Sequence, residues 1–194
     1  MSKKILLAFA LFTVAIVSLM QAPFAAAEKN DEKPAFKPTF FALCMDNADA
    51  KKRTFPQQLD MVRELGFDGV GYPIWLGEAM EKNLKALDDQ KLKPCLFWAS
   101  VNVNPKAAQA YDPKLKDALA CLKGRGTVVC VLLQGLKPAD PAGMEPAVKA
   151  LRELGDLATA SDLRISIYHH TGDWSQSLLF ALDVIKKADH PRVG

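Results

Sequence analysis

The segment RISIYHHTGDW, residues 164–174, decides the fold that we predict for this chain. Its first half is rich in isoleucine, as in a buried β-strand, and it turns polar at His169 and His170. Asp173 and Ser175 then have side chains that favour helix N-caps. An apolar strand, a polar tip and a helix therefore follow one another here, and the same order recurs along the chain.

Four further apolar runs repeat this order. The predicted strands begin near residues 39, 68, 93, 127 and 164, and each is followed by a segment with helical periodicity. The runs are continuous rather than alternating, which is typical of strands buried on both faces. Strands that alternate with helices form a parallel sheet with the helices outside it. The sequence therefore predicts an α/β fold of about five βα units.

Two α/β architectures remain at this point. A doubly wound sheet of five strands would suit the length, whereas a complete (β/α)8 barrel needs about 250 residues. No GxGxxG or P-loop motif follows a predicted strand, and residues 190–194 (HPRVG) resemble the loop and first residues of a sixth strand. We therefore predict a partial (β/α)8 TIM barrel over residues 39–194.

The N-terminus has the pattern of a secretory signal peptide. Two lysines precede an apolar run at residues 5–20, and three alanines at 25–27 offer a small-residue cleavage site. We predict a signal peptide over residues 1–27, cleaved after Ala27, and a flexible tail over residues 28–38. The alternative is an uncleaved anchor, for which the apolar run is short. The mature protein is thus expected in the periplasm or secreted, without stable membrane insertion.

The charge of the chain limits the classes of partner that it can bind. The formal net charge of +3 falls to +1 without the two leader lysines, and basic residues are not clustered. A nucleic-acid-binding surface needs clustered lysine and arginine, so we predict no nucleic-acid partner. The four cysteines match no zinc motif. We interpret them as buried free thiols rather than as disulfides.

His170 is the strongest candidate for chemistry. Side chains alternate along a strand, so Ser166, Tyr168 and His170 would share one face and His169 would point to the other. Barrel active sites lie at the C-terminal ends of strands, which would place His170 at the barrel mouth. Its imidazole could bind a divalent metal (Mn, Mg or Zn) or transfer a proton. The alternative is a structural histidine bonded to a backbone carbonyl.

Aromatic and amide side chains at the strand ends are candidates for substrate binding. Trp98 and Trp174, like Trp75, fall at or just beyond predicted strand ends. An indole wall suits the C–H face of a sugar, and Asn102 and Gln134 could hydrogen-bond its hydroxyls. The alternatives are rim packing for the tryptophans and loop structuring for the amides.

Six segments of the chain carry a family resemblance. They are FFALCMDN (40–47), ELGFDGVGYPIW (64–75), KPCLFWASVNVN (93–104), VCVLLQG (129–135), ISIYHHTGDW (165–174) and HPRVG (190–194). Their order resembles the xylose isomerase-like barrel superfamily, closest to its exported sugar phosphate isomerase/epimerase members. The similarity covers residues 39–194. It implies an eight-stranded barrel and the metal-dependent isomerisation or epimerisation of a sugar.

The resemblance implies His170 as a metal ligand, with one departure. Better-known members place a glutamate ligand at the tip of the fifth strand, where this chain has His170 in a Tyr-x-His-Thr-Gly pattern. The other family ligands come from strands six to eight, outside this sequence. We predict an exported sugar or sugar phosphate isomerase/epimerase that uses metal-assisted proton transfer. The alternative is a non-catalytic, secreted sugar-binding module on a degenerate or truncated barrel.

Overall fold

The computed structural model describes residues 38–194. The predicted signal peptide, and the predicted tail except for residue 38, lie outside the described residues. The described residues form one unit in which strands alternate with helices. None of the helices in this part of the chain is long and apolar enough to cross a bilayer.

Five parallel strands form one sheet in chain order. They are β1 (Phe41–Leu43), β2 (Gly69–Pro73), β3 (Lys93–Asn102), β4 (Val128–Gln134) and β5 (Arg164–Ile167). Parallel pairing of every strand with its sequence neighbour is the order of a barrel, whereas a doubly wound sheet reverses direction at one point. The predicted partial (β/α)8 barrel is therefore confirmed, and the doubly wound alternative does not fit.

Helices follow the strands, as predicted. They are α1 (Met45–Ala48), α2 (Phe55–Glu64), α3 (Glu78–Asp89), α4 (Leu115–Cys121), α5 (Met144–Ser161) and α6 (Leu178–Ala188). The start of α2 shows how local sequence sets a boundary. The backbone N–H of Thr54, the N-cap residue, donates a hydrogen bond of 2.9 Å to the side-chain oxygen of Gln57. A bond from the N-cap N–H to a side chain three residues later is characteristic of a capping box.

The two faces of the sheet differ in exposure. On one face Phe97, Val101 and Val131 are fully buried in the core that the helices cover. On the other, which we call the inner face, Leu43 is 46% exposed and Tyr168 is 47% exposed. The prediction of strands buried on both faces thus holds for residues 69–72 of β2 but is wrong for β1 and β4, where one face stays partly exposed. Five strands do not close a barrel, so the side chains that would fill its interior remain partly exposed.

β5 ends at Ile167, three residues before His170, which is the predicted end of the fifth strand. Its pairing with β4 stops at Ile167, although the Tyr168 N–H still donates to the Val131 carbonyl at 2.9 Å. The chain then turns, and the His170 N–H donates to the Tyr168 carbonyl at 3.1 Å. His169 and His170 therefore lie in a turn, where strand alternation no longer sets the direction of their side chains.

The last residues begin a sixth strand, as predicted. Val193 forms a parallel bridge with Ile165. The Ile165 N–H donates to the Arg192 carbonyl at 2.8 Å, and the Gly194 N–H donates to the Ile165 carbonyl at 2.9 Å. His190 fixes the preceding turn, since its Nδ1 accepts the Arg192 N–H at 3.1 Å. The parallel order of the sheet thus continues past β5.

Candidate functional site

A cavity of about 210 Å³ lies on the inner face of the sheet. We call it the His170 cavity. It is lined by Leu43, Cys44, Asn47, Leu96, Trp98, Cys130, Leu132, Tyr168 and His170. These residues come from β1, β3 and β4, from Cys44 and α1 after β1, and from the turn after β5. The tertiary structure thus brings together Trp98 and His170, two of the residues that the sequence predicted for the site.

The backbone fixes which nitrogen of His170 carries the proton in the neutral ring. Nδ1 of His170 lies 2.9 Å from the carbonyl oxygen of Thr171. A carbonyl can only accept, so Nδ1 must be the N–H donor and Nε2 keeps its lone pair. Nε2 is therefore free to accept a proton or a hydrogen bond. The carbonyl bond that the structural alternative requires is therefore present, and it leaves the lone pair of the neutral ring on Nε2.

Aromatic and aliphatic side chains form the walls of the His170 cavity. The rings of Tyr168 and His170 are neighbours, with centroids 5.9 Å apart and planes inclined at 52°. Leu96, Trp98 and Leu132 supply an apolar surface on β3 and β4. An apolar wall beside a few polar groups is typical of a small-molecule site.

A glycine on β2 makes room for Leu43 on the inner face. A Cβ atom at Gly71 would lie 2.6 Å from Cδ1 of Leu43, which is closer than real contacts allow. Leu43 therefore occupies the space that a side chain on β2 would take. Because Leu43 also lines the His170 cavity, the glycine helps to set the cavity's shape.

Two thiols border the His170 cavity, and neither is part of a disulfide. Burial raises the pKa of the Cys130 thiol above its ordinary value, so this group is uncharged at neutral pH. Cys44 has a left-handed backbone conformation (φ 59°), and this turn separates β1 from α1. The turn brings Cys44 and Asn47 to the cavity.

The described residues do not supply the set of donors that a divalent metal requires. No group of three or more His, Cys, Asp or Glu side chains within residues 38–194 is arranged to hold a metal ion. His170 is one imidazole, whereas catalytic zinc sites use three protein ligands. The predicted metal-ligand role of His170 therefore lacks partners among the described residues.

Asn102 and Gln134 are direct neighbours at the ends of β3 and β4, but neither lines the His170 cavity. The side-chain oxygen of Asn102 accepts the Asn104 N–H at 2.9 Å. The Nε2 of Gln134 donates to Oδ1 of Asp173 at 2.8 Å. Both amides thus hold the loops that follow or adjoin their strands. This loop-structuring role was the alternative to contact with substrate hydroxyls.

Trp174 lies in the protein core, away from the cavity. Its side chain has no exposed surface, its Nε1 donates to the Asp140 carbonyl at 2.8 Å, and its ring packs against Phe180. A fully buried ring cannot contact a ligand that enters from solvent. The predicted substrate-binding role of Trp174 is therefore wrong, and its ring packs in the core. The neighbouring Ser175 is also fully buried, and α6 begins instead with Ser177 at its N-cap.

Of the two remaining candidates, Trp75 is packed against other aromatic rings and His169 is exposed to solvent. Trp75 packs edge-on against Phe55 and Phe97, in an aromatic cluster that also contains Tyr72. His169 is exposed and does not line the His170 cavity.

The segment after β1 contributes two residues to the cavity that were not predicted from the sequence. Asn47 and Cys44 line the His170 cavity, yet both are distant from His170 in sequence. The only local signal was a polar turn after the first strand. Tyr168 had a clearer signal, because it shares the alternation of Ser166 along the fifth strand.

A larger cavity of about 450 Å³ lies elsewhere, between the loop after β3 and α5. Asn102 and Asn104 line it on one side, and Glu145, Lys149 and Glu153 line it on the other. The charged side chains recur every four residues along one face of α5, which was the only sequence signal for this cleft. We place the candidate site at the smaller cavity, because it contains His170, whose ring is oriented by the Thr171 carbonyl.

Solved structures with the same fold were found by comparison. The chain aligns with an AP endonuclease, family 2, from Brucella melitensis (TM-score 0.59, 16% identity, 81% of this chain and 67% of that one). It aligns with 3-keto-D-glucoside 4-epimerase from E. coli (0.61, 13%, 80% and 66%). A third match is a xylose isomerase-like TIM barrel protein from Mycobacterium smegmatis in complex with magnesium (0.57, 21%, 80% and 63%).

These likenesses establish the fold. The chain has the fold of a partial TIM barrel, as predicted, and two of the matched structures are described as xylose isomerase-like or xylose isomerase domain proteins. It spans about three fifths to two thirds of the length of the structures that it matches. No protein-family model and no curated protein sequence matches the chain.

Proposed function

We propose that this protein binds a sugar in the His170 cavity and isomerises it by proton transfer at His170. The observation that carries the proposal is the hydrogen bond between Nδ1 of His170 and the Thr171 carbonyl, in a ring that borders the same cavity as Trp98. It orients a base beside an apolar wall. The epimerase among the matched structures acts on a keto-glucoside, which supports a carbohydrate ligand.

The size and lining of the cavity suit a single sugar ring. Its volume of about 210 Å³ is below the roughly 300–1,000 Å³ of sites for drug-sized ligands. Trp98 offers an apolar surface for the C–H face of the ring. Asn47 and the Tyr168 hydroxyl can exchange hydrogen bonds with its hydroxyl groups.

The proton chemistry assigns one role to His170. In an aldose–ketose isomerisation, a proton moves from the carbon next to the carbonyl to the former carbonyl carbon, and the proton of the neighbouring hydroxyl moves to the former carbonyl oxygen. Nε2 of His170, which holds the free lone pair, takes the proton and gives it back. A single imidazole borders the cavity, so transfer by one base fits this site better than epimerisation by two.

Metal assistance was part of the sequence prediction, and the magnesium complex among the matched structures supports it for that protein. The described residues group no further ligands around His170. No step of the proposed reaction therefore passes through a metal. Export to the periplasm or medium likewise stays a proposal, based on the predicted leader. N-terminal sequencing of the exported protein tests it, with glutamate 28 expected as the first residue.

A sugar isomerisation assay tests the proposal, and the chain offers a matched control. His170→Ala should reduce turnover by about 10²–10⁴-fold, the usual contribution of general acid–base catalysis. His169→Ala removes an identical side chain from the adjacent exposed position and should leave turnover unchanged. Equal activity of the His170→Ala variant and the wild type would contradict the role of His170.

The second candidate function is sugar binding without catalysis. It is favoured by the predominantly apolar lining of the cavity and by the absence of grouped metal donors in residues 38–194. Calorimetric binding of a sugar by the wild-type protein, without turnover under any metal condition, would support this candidate over the first.

A further inference from the structure

We propose that the His170 cavity selects an uncharged sugar over the corresponding sugar phosphate. The inference rests on the proposed function, and it decides between two ligand classes that the sequence left open. Its starting point is the lining of the cavity, in which no lysine, arginine, aspartate or glutamate of the described residues takes part. Proteins bind phosphate groups chiefly with arginine, lysine or the backbone N–H groups of helix starts.

The helix start beside the cavity does not replace those basic groups. α1 has only four residues and carries Asp46 in its first turn, and a negative charge near a helix start opposes the binding of an anion there. Burial, followed by the charges of Asp46 and Asp49, raises the pKa of Tyr72 on β2. Asp49 is paired with Arg53 at 2.6 Å, so the negative charge on this side of the cavity comes from Asp46. A phosphate would meet repulsion on the Asn47 side of the cavity.

The orientation of His170 favours a donor in the ligand. Because Nδ1 donates to the Thr171 carbonyl, Nε2 of the neutral ring presents a lone pair. A sugar hydroxyl can donate to that lone pair, whereas an ionised phosphate oxygen has only lone pairs to offer. Cys130 is an uncharged thiol because burial raises its pKa.

The apolar walls increase the difference between the two ligands. Leu96, Trp98 and Leu132 exclude water from one side of the cavity. Removing an ionised phosphate from water costs far more than removing a hydroxyl, unless a cation compensates the charge. The hydroxyl finds acceptors or donors in His170, Tyr168 and Asn47, but the phosphate finds no cation.

Calorimetric titration of the full chain with D-fructose and D-fructose 6-phosphate, at pH 8 and low salt, tests the inference. We expect D-fructose to bind at least tenfold more tightly than its phosphate. Asn47→Lys places a cation on an exposed residue of the cavity and should raise the affinity for the phosphate at least tenfold. Leu179→Lys is the matched control, since it adds the same charge at a residue on α6 that is 79% exposed. It should change neither affinity.

The outcomes separate this inference from the proposed function. Equal or tighter binding of the phosphate by the wild type overturns the inference and leaves sugar binding intact. An equal gain in phosphate affinity for Asn47→Lys and Leu179→Lys also overturns it, because net charge rather than the cavity would then be responsible. Binding of neither ligand, together with no response of any aldose or ketose in the isomerisation assay, overturns the proposed function itself.

Discussion

Gln134 donates a hydrogen bond of 2.8 Å from its Nε2 to Oδ1 of Asp173, 39 residues further along the chain. Asp173 is only 8% exposed, and its second oxygen, Oδ2, has no protein partner in the described part of the chain. The Asp173 N–H also donates to the His170 carbonyl at 3.1 Å. This pair therefore ties the turn that carries His170 to the end of β4.

The first prediction concerns this pair. Gln134→Leu leaves the buried carboxylate of Asp173 without its side-chain donor, so we expect a loss of about 1–3 kcal/mol of unfolding free energy. Urea denaturation measures the change. The double variant Gln134→Leu, Asp173→Leu should lose less than the sum of the two single variants, because the pair is removed together. Strict additivity would show that the two side chains are not coupled.

The second prediction compares two tryptophans by the same chemical change. Trp174→Phe replaces a fully buried indole by a smaller ring and leaves the Asp140 carbonyl without its donor. It should lower the free energy of unfolding by about 1–3 kcal/mol. Trp98→Phe changes a partly exposed ring in the His170 cavity. It should cost about 0.5 kcal/mol or less in stability and weaken sugar binding. Urea denaturation and calorimetry of both variants measure the two effects, and a reversed pattern would contradict the assigned roles.

The third prediction is a pH dependence at an ion pair outside the site. The two terminal nitrogens of the Arg125 guanidinium group donate to the two carboxylate oxygens of Asp88, at 2.6 and 2.9 Å. The hydrogen bond from Arg125 lowers the pKa of Asp88, although partial burial opposes this. A lowered folded-state pKa gives stability that is present above the unfolded-state pKa and is lost as the pH falls through the folded-state value.

Asp88→Asn tests that dependence. At pH 7 the variant should be less stable than the wild type by about 0.2–1 kcal/mol, as for other exposed ion pairs. The difference should disappear as the pH falls below the folded-state pKa of Asp88. Asp183→Asn is a suitable control, because Asp183 pairs with Lys187 on α6 at 2.7 Å and both side chains are about half exposed. A constant difference across the acidic range would contradict the assignment.

The fourth prediction concerns metal. Because His170 lacks grouped partners in residues 38–194, the protein should retain well under one equivalent of Zn, Mn or Mg after dialysis, as measured by elemental analysis. Any retained zinc should fall in His170→Ala and persist in His169→Ala. A full equivalent held equally by both variants would show that another set of side chains binds the metal.

The positions of the strands could be predicted because they depend on neighbouring residues. The apolar run 127–133 matches β4 (Val128–Gln134) to within one residue at each end, and Thr54 with Gln57 begins α2. The extent of β5 could not be predicted as well. Ile167 and Tyr168 have equal strand propensity, but the pairing with β4 ends between them.

The roles of the polar and aromatic side chains at the strand ends needed the tertiary structure. Trp98 and Trp174 look alike in sequence, yet one borders the His170 cavity and the other is completely buried. Gln134 was a plausible ligand for a hydroxyl until the structure showed its bond to Asp173. Such partners are many residues apart, and local sequence carries no information about them.

By itself, the sequence determined the alternation of strands and helices, the parallel order and the strand whose end carries His170, because periodicity and capping are properties of adjacent residues. Only the tertiary structure decided which side chains share a cavity with His170, which of its nitrogens is free, and which candidates are used as packing. Those outcomes depend on contacts between separate βα units, and such contacts exist only when the sheet has formed.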